Sequence, residues 1–158
     1  MKKTKAITQA SLIAALYVAL TYLANLLGLA SGAIQIRFSE ALTVLPLFTA
    51  AAIPGLTLGC LLANLLTGCA LWDVIFGTLA TLLGALGTRY LSKKSKWLAP
   101  IFPILANTLI VPFVLTYVYG LTDAMWYLFL TVAVGEVLSC GVLGIPLAGA
   151  IEKSKLFK

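Results

Sequence analysis

Residues 125–151 read MWYLFLTVAVGEVLSCGVLGIPLAGAI, a run of 27 residues that contains a single charged side chain, Glu136. A helix needs about 20 apolar residues to cross the hydrocarbon core of a bilayer, so this run predicts a membrane-spanning helix. Hydrophobic residues make up 61% of the 158-residue chain and charged residues only 10%, whereas about a quarter of the residues are charged in a typical soluble domain. These proportions exclude a water-soluble domain and predict an all-α integral membrane protein.

Five further apolar runs precede this one, and together they predict a bundle of six transmembrane helices. The predicted spans are residues 7–27, 40–53, 56–70, 72–91, 98–119 and 125–151. Six helices of about 20 residues use roughly 120 residues, which leaves no room for a second, water-soluble domain. We therefore predict a single membrane domain over residues 1–158, with short second and third spans joined by a turn at Pro54 and Gly55.

The lysines predict the orientation of the bundle, because short cytoplasmic loops collect Lys and Arg. All nine lysines lie in the N-terminal segment, in the loop at residues 92–96 or in the C-terminal tail. Six spans with a cytoplasmic N-terminus place all three clusters in the cytoplasm, and removing one of the first four spans would separate them. The distribution predicts cytoplasmic N- and C-termini and suits a membrane protein better than a nucleic-acid surface.

The chain lacks the residues of common catalytic and metal sites. It has no His, and Cys60, Cys69 and Cys140 are far apart without a CxxC pair, so we predict unpaired thiols and no metal site. It also lacks a GxxxxGK[ST] nucleotide-binding loop and any soluble segment long enough for an ATPase. We therefore predict a non-enzymatic membrane protein without a cofactor, in which any coupling to ATP comes from partner proteins.

Four acidic side chains fall in the outer half of the predicted bundle. Glu40, Asp73, Asp123 and Glu136 contribute four negative charges against one positive charge from Arg37, a sum of −3 if Glu136 is ionised. Glu136 lies about 11 residues, or roughly 17 Å, from the outer end of its helix, near the middle of the hydrocarbon core. A carboxylate there faces a cavity, a partner or a substrate. These charges predict an anionic environment that favours a cationic ligand.

The residue types around this carboxylate leave structural roles open beside ligand binding. Glu136 is either a ligand or ion site, or a protonated acid bonded to a neighbouring helix. Asn64 and Asn107 either offer amide groups to a heterocycle edge or join two helices.

Two further pairs of residues carry the same ambiguity. Arg37 and Glu40, one helical turn apart, either pair with each other or contact a ligand, and the first role does not exclude the second. Asp73 and Trp72 at the outer end of the fourth span suit a cation in an aromatic-walled site, although interfacial Trp is common in membrane proteins.

At residues 35–46, QIRFSEALTVLP, the sequence resembles the queuosine-precursor transporter family, QueT. The likeness extends from about Thr8 to Glu152 and includes IPGL at 53–56, LLANLL at 61–66, WDVIFG at 72–77, NTLIVPF at 107–113 and VGEVLSCGVLGIPL at 134–147. Members of this family are the substrate-binding S-components of energy-coupling-factor (ECF) transporters. The resemblance implies a multi-pass protein of the bacterial plasma membrane that contacts lipid and no nucleic acid.

The resemblance also implies a ligand and partners. The ligand is a 7-deazaguanine, with 7-aminomethyl-7-deazaguanine (preQ1) as the expected compound, captured at the outward face. The protein then docks on a shared ECF transmembrane subunit that is driven by two cytoplasmic ATPases. An Ala-x-x-x-Ala docking motif on the first helix of such proteins falls here on Ala10 and Ala14, while Ala15 and Ala19 fit the same spacing. The segment at residues 28–39 corresponds to a lid over the ligand.

The charges and the resemblance together predict roles within the site. Glu136 binds the guanine-like edge, whose adjacent N–H groups suit a carboxylate, and Glu40 or Asp73 binds the ammonium group. Asn64 and Asn107 satisfy the remaining polar atoms. Two other functions stay open: a self-sufficient proton-coupled secondary transporter for a small cationic or heterocyclic substrate, with Glu136 as its proton site, and a purely structural membrane subunit.

Overall fold

The computed structural model describes residues 2–30, 34–91 and 95–154, and all regular secondary structure in these segments is helical. Parts of three predicted features lie outside the described residues. They are residues 31–33 of the proposed lid, residues 92–94 of the basic loop and residues 155–158 of the C-terminal tail.

The described chain forms six α-helices and three helical segments of other types. The α-helices are α1 (Lys2–Leu26), α2 (Ala52–Leu66), α3 (Leu71–Leu91), α4 (Ile101–Tyr117), α5 (Met125–Glu136) and α6 (Gly144–Ser154). A 3-10 helix at Phe38–Leu47 follows α1, a 3-10 turn at Lys96–Leu98 precedes α4, and a π-helical segment at Val137–Leu143 joins α5 to α6. Glycines with positive φ follow α1, α2 and α4, namely Gly28 (70°), Gly68 (75°) and Gly120 (67°), as expected where helices end.

Four apolar helical segments are long enough to cross a membrane: Lys3–Leu26, Leu71–Leu91, Lys96–Tyr117 and Met125–Ser154. They correspond to the first, fourth, fifth and sixth predicted spans, so the prediction of an all-α membrane protein is confirmed. The second and third predicted spans correspond to the 3-10 helix and α2, which are shorter apolar helices. The count of six spans, their orientation and the single domain stay predictions.

The 3-10 helix lies at the centre of the bundle and differs from the predicted span at residues 40–53. All its residues from 39 to 46 are buried, and it packs against α1, α3, α6 and the π-helical segment. Its ten residues rise only about 20 Å at 2.0 Å per residue. Arg89 of α3 closes its end, because the guanidinium donates to the carbonyl oxygens of Pro46 (3.1 Å) and Leu47 (3.5 Å).

Helices α1 and α2 approach closely along a stripe of small residues. A Cβ atom added to Gly55 would lie 2.8 Å from the carbonyl oxygen of Ala10, and one added to Gly59 would lie 2.7 Å from Cβ of Tyr17 and 3.1 Å from Cα of Ala14. Only glycine fits at these contacts. The two predicted docking residues, Ala10 and Ala14, therefore face α2 in this structure.

Candidate ligand-binding site

A cavity of about 1000 Å³ lies among the helices. It extends from buried side chains at its floor to the exposed loop between α4 and α5, which forms part of its mouth. Six of the seven residues predicted for the ligand site line this cavity, together with the predicted acid Asp123. The six are Arg37, Glu40, Asn64, Asp73, Asn107 and Glu136.

The floor of the cavity contains two carboxylates from distant parts of the chain. Glu40, in the 3-10 helix, is only 2% exposed, and the hydroxyl of Tyr17 in α1 donates to its Oε1 atom. Glu136, at the end of α5, accepts hydrogen bonds at Oε2 from the Asn107 amide (3.0 Å) and the Cys140 thiol (3.3 Å). The same thiol lies 4.0 Å from Oε2 of Glu40, so it stands between the two acids.

This arrangement also brings three potential metal ligands together. One carboxylate oxygen of Glu40, one of Glu136 and the sulfur of Cys140 all lie within 4.8 Å of one another. Sequence spacing places Cys140 one helical turn after Glu136, but it gave no indication that Glu40 joins them. Its ligand types do not match a single metal preference, because carboxylates suit hard cations and thiolates suit soft ones. The geometry fits a group that donates several hydrogen bonds better than it fits an ion.

The chain segment before Glu40 crosses directly over α5. A Cβ atom added to Gly135 would lie 2.3 Å from the carbonyl oxygen of Gln35, and Ser139 accepts a hydrogen bond from the backbone N–H of Arg37 at 3.1 Å. The Arg37 guanidinium donates to Oε1 of Gln35 at 3.5 Å. Among the described residues it forms no ion pair with Glu40. The crossing therefore holds Gln35 and Arg37 at the cavity wall.

A hydrogen-bonded pair marks the mouth of the cavity. The Tyr119 hydroxyl donates to Oδ2 of Asp73 at 2.7 Å and accepts from the backbone N–H of Ala70 at 3.2 Å. It thereby joins the α2–α3 loop, the start of α3 and the α4–α5 loop. Partial burial and the hydrogen bond to Asp73 raise the pKa of Tyr119 to about 12, so the hydroxyl remains a donor at neutral pH.

A donor and an acceptor lie side by side on the wall between floor and mouth. Asn64 of α2 is 3% exposed, and its amide nitrogen lies 3.6 Å from the sulfur of Cys60. A Cβ atom added to Gly77 would lie 3.1 Å from that nitrogen and 3.7 Å from Oδ1 of Asp73. The absence of a side chain at Gly77 leaves both groups open to the cavity.

The structure does not bring Trp72 to the cavity. Its ring stacks on Phe76 at a centroid distance of 6.0 Å, and the side chain is 57% exposed. It lies in the first turn of α3 on the outside of the bundle, a position typical of interfacial Trp. An aromatic wall beside Asp73 is supplied instead by Tyr119, which sequence reasoning did not select.

Comparison with known proteins places the chain in a family. The family model described as QueT transporter matches residues 7–153. The chain belongs to the QueT transporter family. With four apolar segments long enough to cross a bilayer, this QueT family member is a multi-pass membrane transport protein.

One curated relative and the solved structures complete the comparison. Queuosine precursor transporter QueT of Lactococcus lactis subsp. cremoris (strain MG1363) is 41% identical over 86 residues. The match includes 52% of this chain and 50% of the relative, so the chain is aligned to about half the length of that QueT protein. No solved structure matches the chain.

Proposed function

We propose that this QueT family member is the substrate-binding S-component of an ECF-type importer and that it captures a queuosine precursor, preQ1, for ATP-driven uptake. The observation that carries the proposal is the cavity, in which the buried carboxylate of Glu40 and the half-buried carboxylate of Glu136 lie together inside a family member. The name of the Lactococcus relative, queuosine precursor transporter, agrees with this ligand class.

The chemistry of the cavity complements a 7-deazaguanine that carries an aminomethyl group. Such a ligand presents an ammonium group and a heterocycle edge with adjacent N–H donors. Four acids and one base line the cavity, a net charge of −3 when all are ionised, so cations are attracted into it. Carboxylate and amide oxygens supply the acceptors that the N–H groups need.

The proposed orientation places the mouth outside the cell and both termini in the cytoplasm. It is supported by the positions of the lysines, because α1 begins with Lys2, Lys3 and Lys5 and ends near the mouth, where Asn25 lines the cavity. At the opposite end of the bundle, Lys96 pairs with Glu152 at 2.7 Å. Lysines on one side of the bundle agree with the preference of cytoplasmic loops for positive charge.

The proposed lid is anchored near the mouth. A backbone hydrogen bond of 2.8 Å from Ile36 to the carbonyl oxygen of Leu29 closes the segment at its base. Ala30 and Gln35 on either side of residues 31–33 line the cavity. Movement of this segment would open or cover the ligand.

We place the partner-docking face on a different stripe of α1 from the one that includes Ala14. Ala14 is 8% exposed because it packs against α2, whereas Ser11, Ala15 and Ala19 are exposed at four-residue spacing. Small residues at this spacing allow another helix to approach closely. The proposed partners are the ECF transmembrane subunit and its two cytoplasmic ATPases.

An uptake assay tests the docking face. Ala15→Leu should leave preQ1 binding intact and reduce partner-dependent uptake, because the larger side chain holds the partner helix away. Ala150→Leu, the same change at an exposed position of α6, is the matched control. Equal uptake by the two variants would remove this stripe from the docking face.

Calorimetric titration of the detergent-purified protein with preQ1 tests the ligand. We expect tight binding of preQ1 and much weaker competition by guanine, which lacks the ammonium group, and none by thiamine. Glu136→Gln should weaken preQ1 binding by more than about tenfold. Absence of binding by folded protein would refute the ligand assignment.

Uptake into proteoliposomes tests the transport mechanism. We expect preQ1 to enter only when the ECF subunit, both ATPases and ATP are present. Uptake by the protein alone would support the proton-coupled secondary transporter, in which Glu136 carries the proton.

A further inference from the structure

The two carboxylates at the floor of the cavity are spaced to share one nitrogen of a ligand. One carboxylate oxygen of Glu40 and one of Glu136 lie no more than 4.8 Å apart. Two acceptors placed at hydrogen-bond distance along two N–H directions of a tetrahedral ammonium group are roughly 4.6 Å apart. The separation of the two acids therefore allows one primary ammonium group to contact both Glu40 and Glu136 from the cavity that they line.

The charge balance at the floor points to the same group. Glu40 and Glu136 carry two negative charges when ionised, and Arg37 beside them carries one positive charge, which leaves one negative charge uncompensated. A buried charge without compensation is costly. A neutral heterocycle edge supplies no charge, whereas a single ammonium group restores neutrality.

Unused acceptor atoms indicate that the ligand brings the missing donors. Asn64, which is 3% exposed and lines the cavity, accepts no hydrogen bond at Oδ1 within the described part of the chain. The same is true of Oε1 of Glu136, whose two hydrogen bonds both end on Oε2. Both residues line the cavity, so these free acceptor atoms can contact N–H groups of a ligand bound there.

We propose that Glu40 and Glu136 together bind the primary ammonium group of the ligand, while Asp73 and Asn64 bind its heterocycle edge nearer the mouth. This inference rests on the proposed function and differs from the division suggested by the sequence, in which Glu136 met the heterocycle. In preQ1 the ammonium nitrogen and the far end of the heterocycle edge are roughly 7 Å apart, given bonds of about 1.4 Å. Glu40 and Glu136 are too close together at the floor for one to bind the ammonium group and the other the far end of the heterocycle edge.

The wall near the mouth is suited to the other end of the ligand. A guanine-like edge presents N–H donors next to a carbonyl acceptor, so it needs an acceptor and a donor side by side. Oδ1 of Asp73 and the amide nitrogen of Asn64 flank Gly77 in this way. The Tyr119 hydroxyl holds the other oxygen of Asp73, which orients the carboxylate.

A matched pair of ligands tests this division. 7-Cyano-7-deazaguanine has the same heterocycle as preQ1 but carries an uncharged nitrile in place of the aminomethyl group. We expect the wild-type protein to bind preQ1 at least about tenfold more tightly than the nitrile. Equal affinities would overturn the inference but not the proposed function, and binding of neither compound by folded protein would overturn both.

Isosteric variants assign each acid separately. Glu40→Gln and Glu136→Gln should lower the affinity for preQ1 by about tenfold or more and change the affinity for the nitrile by less than about threefold. Asp73→Asn should lower the affinity for both ligands by the same factor. Glu152→Gln, a carboxyl-to-amide change at the opposite end of the bundle, should affect neither.

Other patterns of loss contradict the inference. An equal loss of affinity for the two ligands in Glu136→Gln would place the heterocycle at the floor. A loss of affinity for preQ1 alone in Asp73→Asn would place the ammonium group at the mouth. Gly77→Ala gives a test that leaves every acid in place. Its Cβ atom, 3.1 Å from the amide nitrogen of Asn64, should weaken both ligands to the same extent, and a change in the ratio of the two affinities would argue against the division.

Discussion

Replacing Gly135 by alanine should separate two segments whose contact shapes the cavity. The new Cβ atom would lie 2.3 Å from the carbonyl oxygen of Gln35, whereas ordinary C···O contacts are about 3.3 Å, so the segment must move by about 1 Å. The hydrogen bond from Arg37 to Ser139, now 3.1 Å, would then exceed hydrogen-bond distance. We expect the substitution to destabilise the fold and to displace two residues of the cavity wall.

The magnitude follows from three contributions. Overpacking costs about 1–3 kcal/mol, and loss of the hydrogen bond costs about 0.5–1.5 kcal/mol. The better helix propensity of alanine returns up to about 1 kcal/mol. The net expectation is a destabilisation of about 0.5–4.5 kcal/mol. Gly149→Ala in α6 is the matched control, because nothing lies within 4 Å of its new Cβ atom and only the gain in propensity remains.

Thermal unfolding in detergent compares the two variants. Their stabilities should differ by about 1.5–4.5 kcal/mol, and each kcal/mol shifts Tm by about 2–4 °C in a chain of this size. Gly135→Ala should therefore unfold at least about 3 °C below Gly149→Ala and bind preQ1 more weakly. Unfolding temperatures within about 2 °C of each other would refute the close crossing over α5.

Three further substitutions probe polar contacts of the bundle. Tyr17→Phe leaves a buried oxygen of Glu40 without its donor, so calorimetry should show about tenfold weaker preQ1 binding or more. Tyr119→Phe should lower the affinity for preQ1 by a smaller factor, because Tyr119 is 45% exposed and water can replace its hydroxyl at Asp73. A larger loss of affinity than in Tyr17→Phe would contradict this ranking. Burial and the hydrogen bond to Asp73 raise the pKa of Tyr119 from 10.0 to about 12. The contribution of this hydroxyl to the free energy of unfolding is therefore present below pH 10 and is lost as the pH rises through 12. The difference in unfolding free energy between Tyr119→Phe and the wild type should stay constant between about pH 6 and about pH 9. Arg89→Ala removes the donors at the end of the 3-10 helix and should lower Tm. An unchanged Tm would contradict this expectation and would mean that water satisfies those carbonyl oxygens equally well.

The long helices could be predicted from sequence because apolar runs bounded by charged or turn residues have few alternatives in a bilayer. The fourth predicted span, residues 72–91, agrees with α3 (Leu71–Leu91) within one residue. The second span was less predictable. The 3-10 helix is buried on every side, so its apolar residues show no periodicity that would distinguish 3.0 from 3.6 residues per turn.

Much of the cavity lining could also be predicted, because charged and amide side chains within apolar helices face the protein interior. Glu136 was selected for this reason, whereas Glu40 was expected at or near the outer surface and is instead buried at the floor; both line the cavity. The roles of Tyr17 and Cys140 could not be predicted. Each depends on a neighbour that is distant in sequence: Tyr17 donates to Glu40, and Cys140 lies between two acids separated by 96 positions.

Choosing between the two candidate docking stripes on α1 also required the three-dimensional structure. Ala10 and Ala14 have the same composition and spacing as Ala15 and Ala19. Only the packing of α2 shows that the first pair faces inward and the second is exposed. Spacing alone therefore indicates that a close contact exists without indicating which helix makes it.

The π-helical segment at Val137–Leu143 allows the last helical stretch to differ in length by one residue. A π-helical turn contains more residues than an α-helical turn, so it corresponds to an insertion within a regular helix. Deleting one exposed residue, such as Val142, would restore regular α-helical geometry and leave α6 in nearly the same orientation relative to α5, because the wider π-helical turns take up the extra residue. QueT sequences that lack one residue here would thus keep the same side of α6 toward the central 3-10 helix, so a gap at this place in an alignment need not mean a different packing of the bundle.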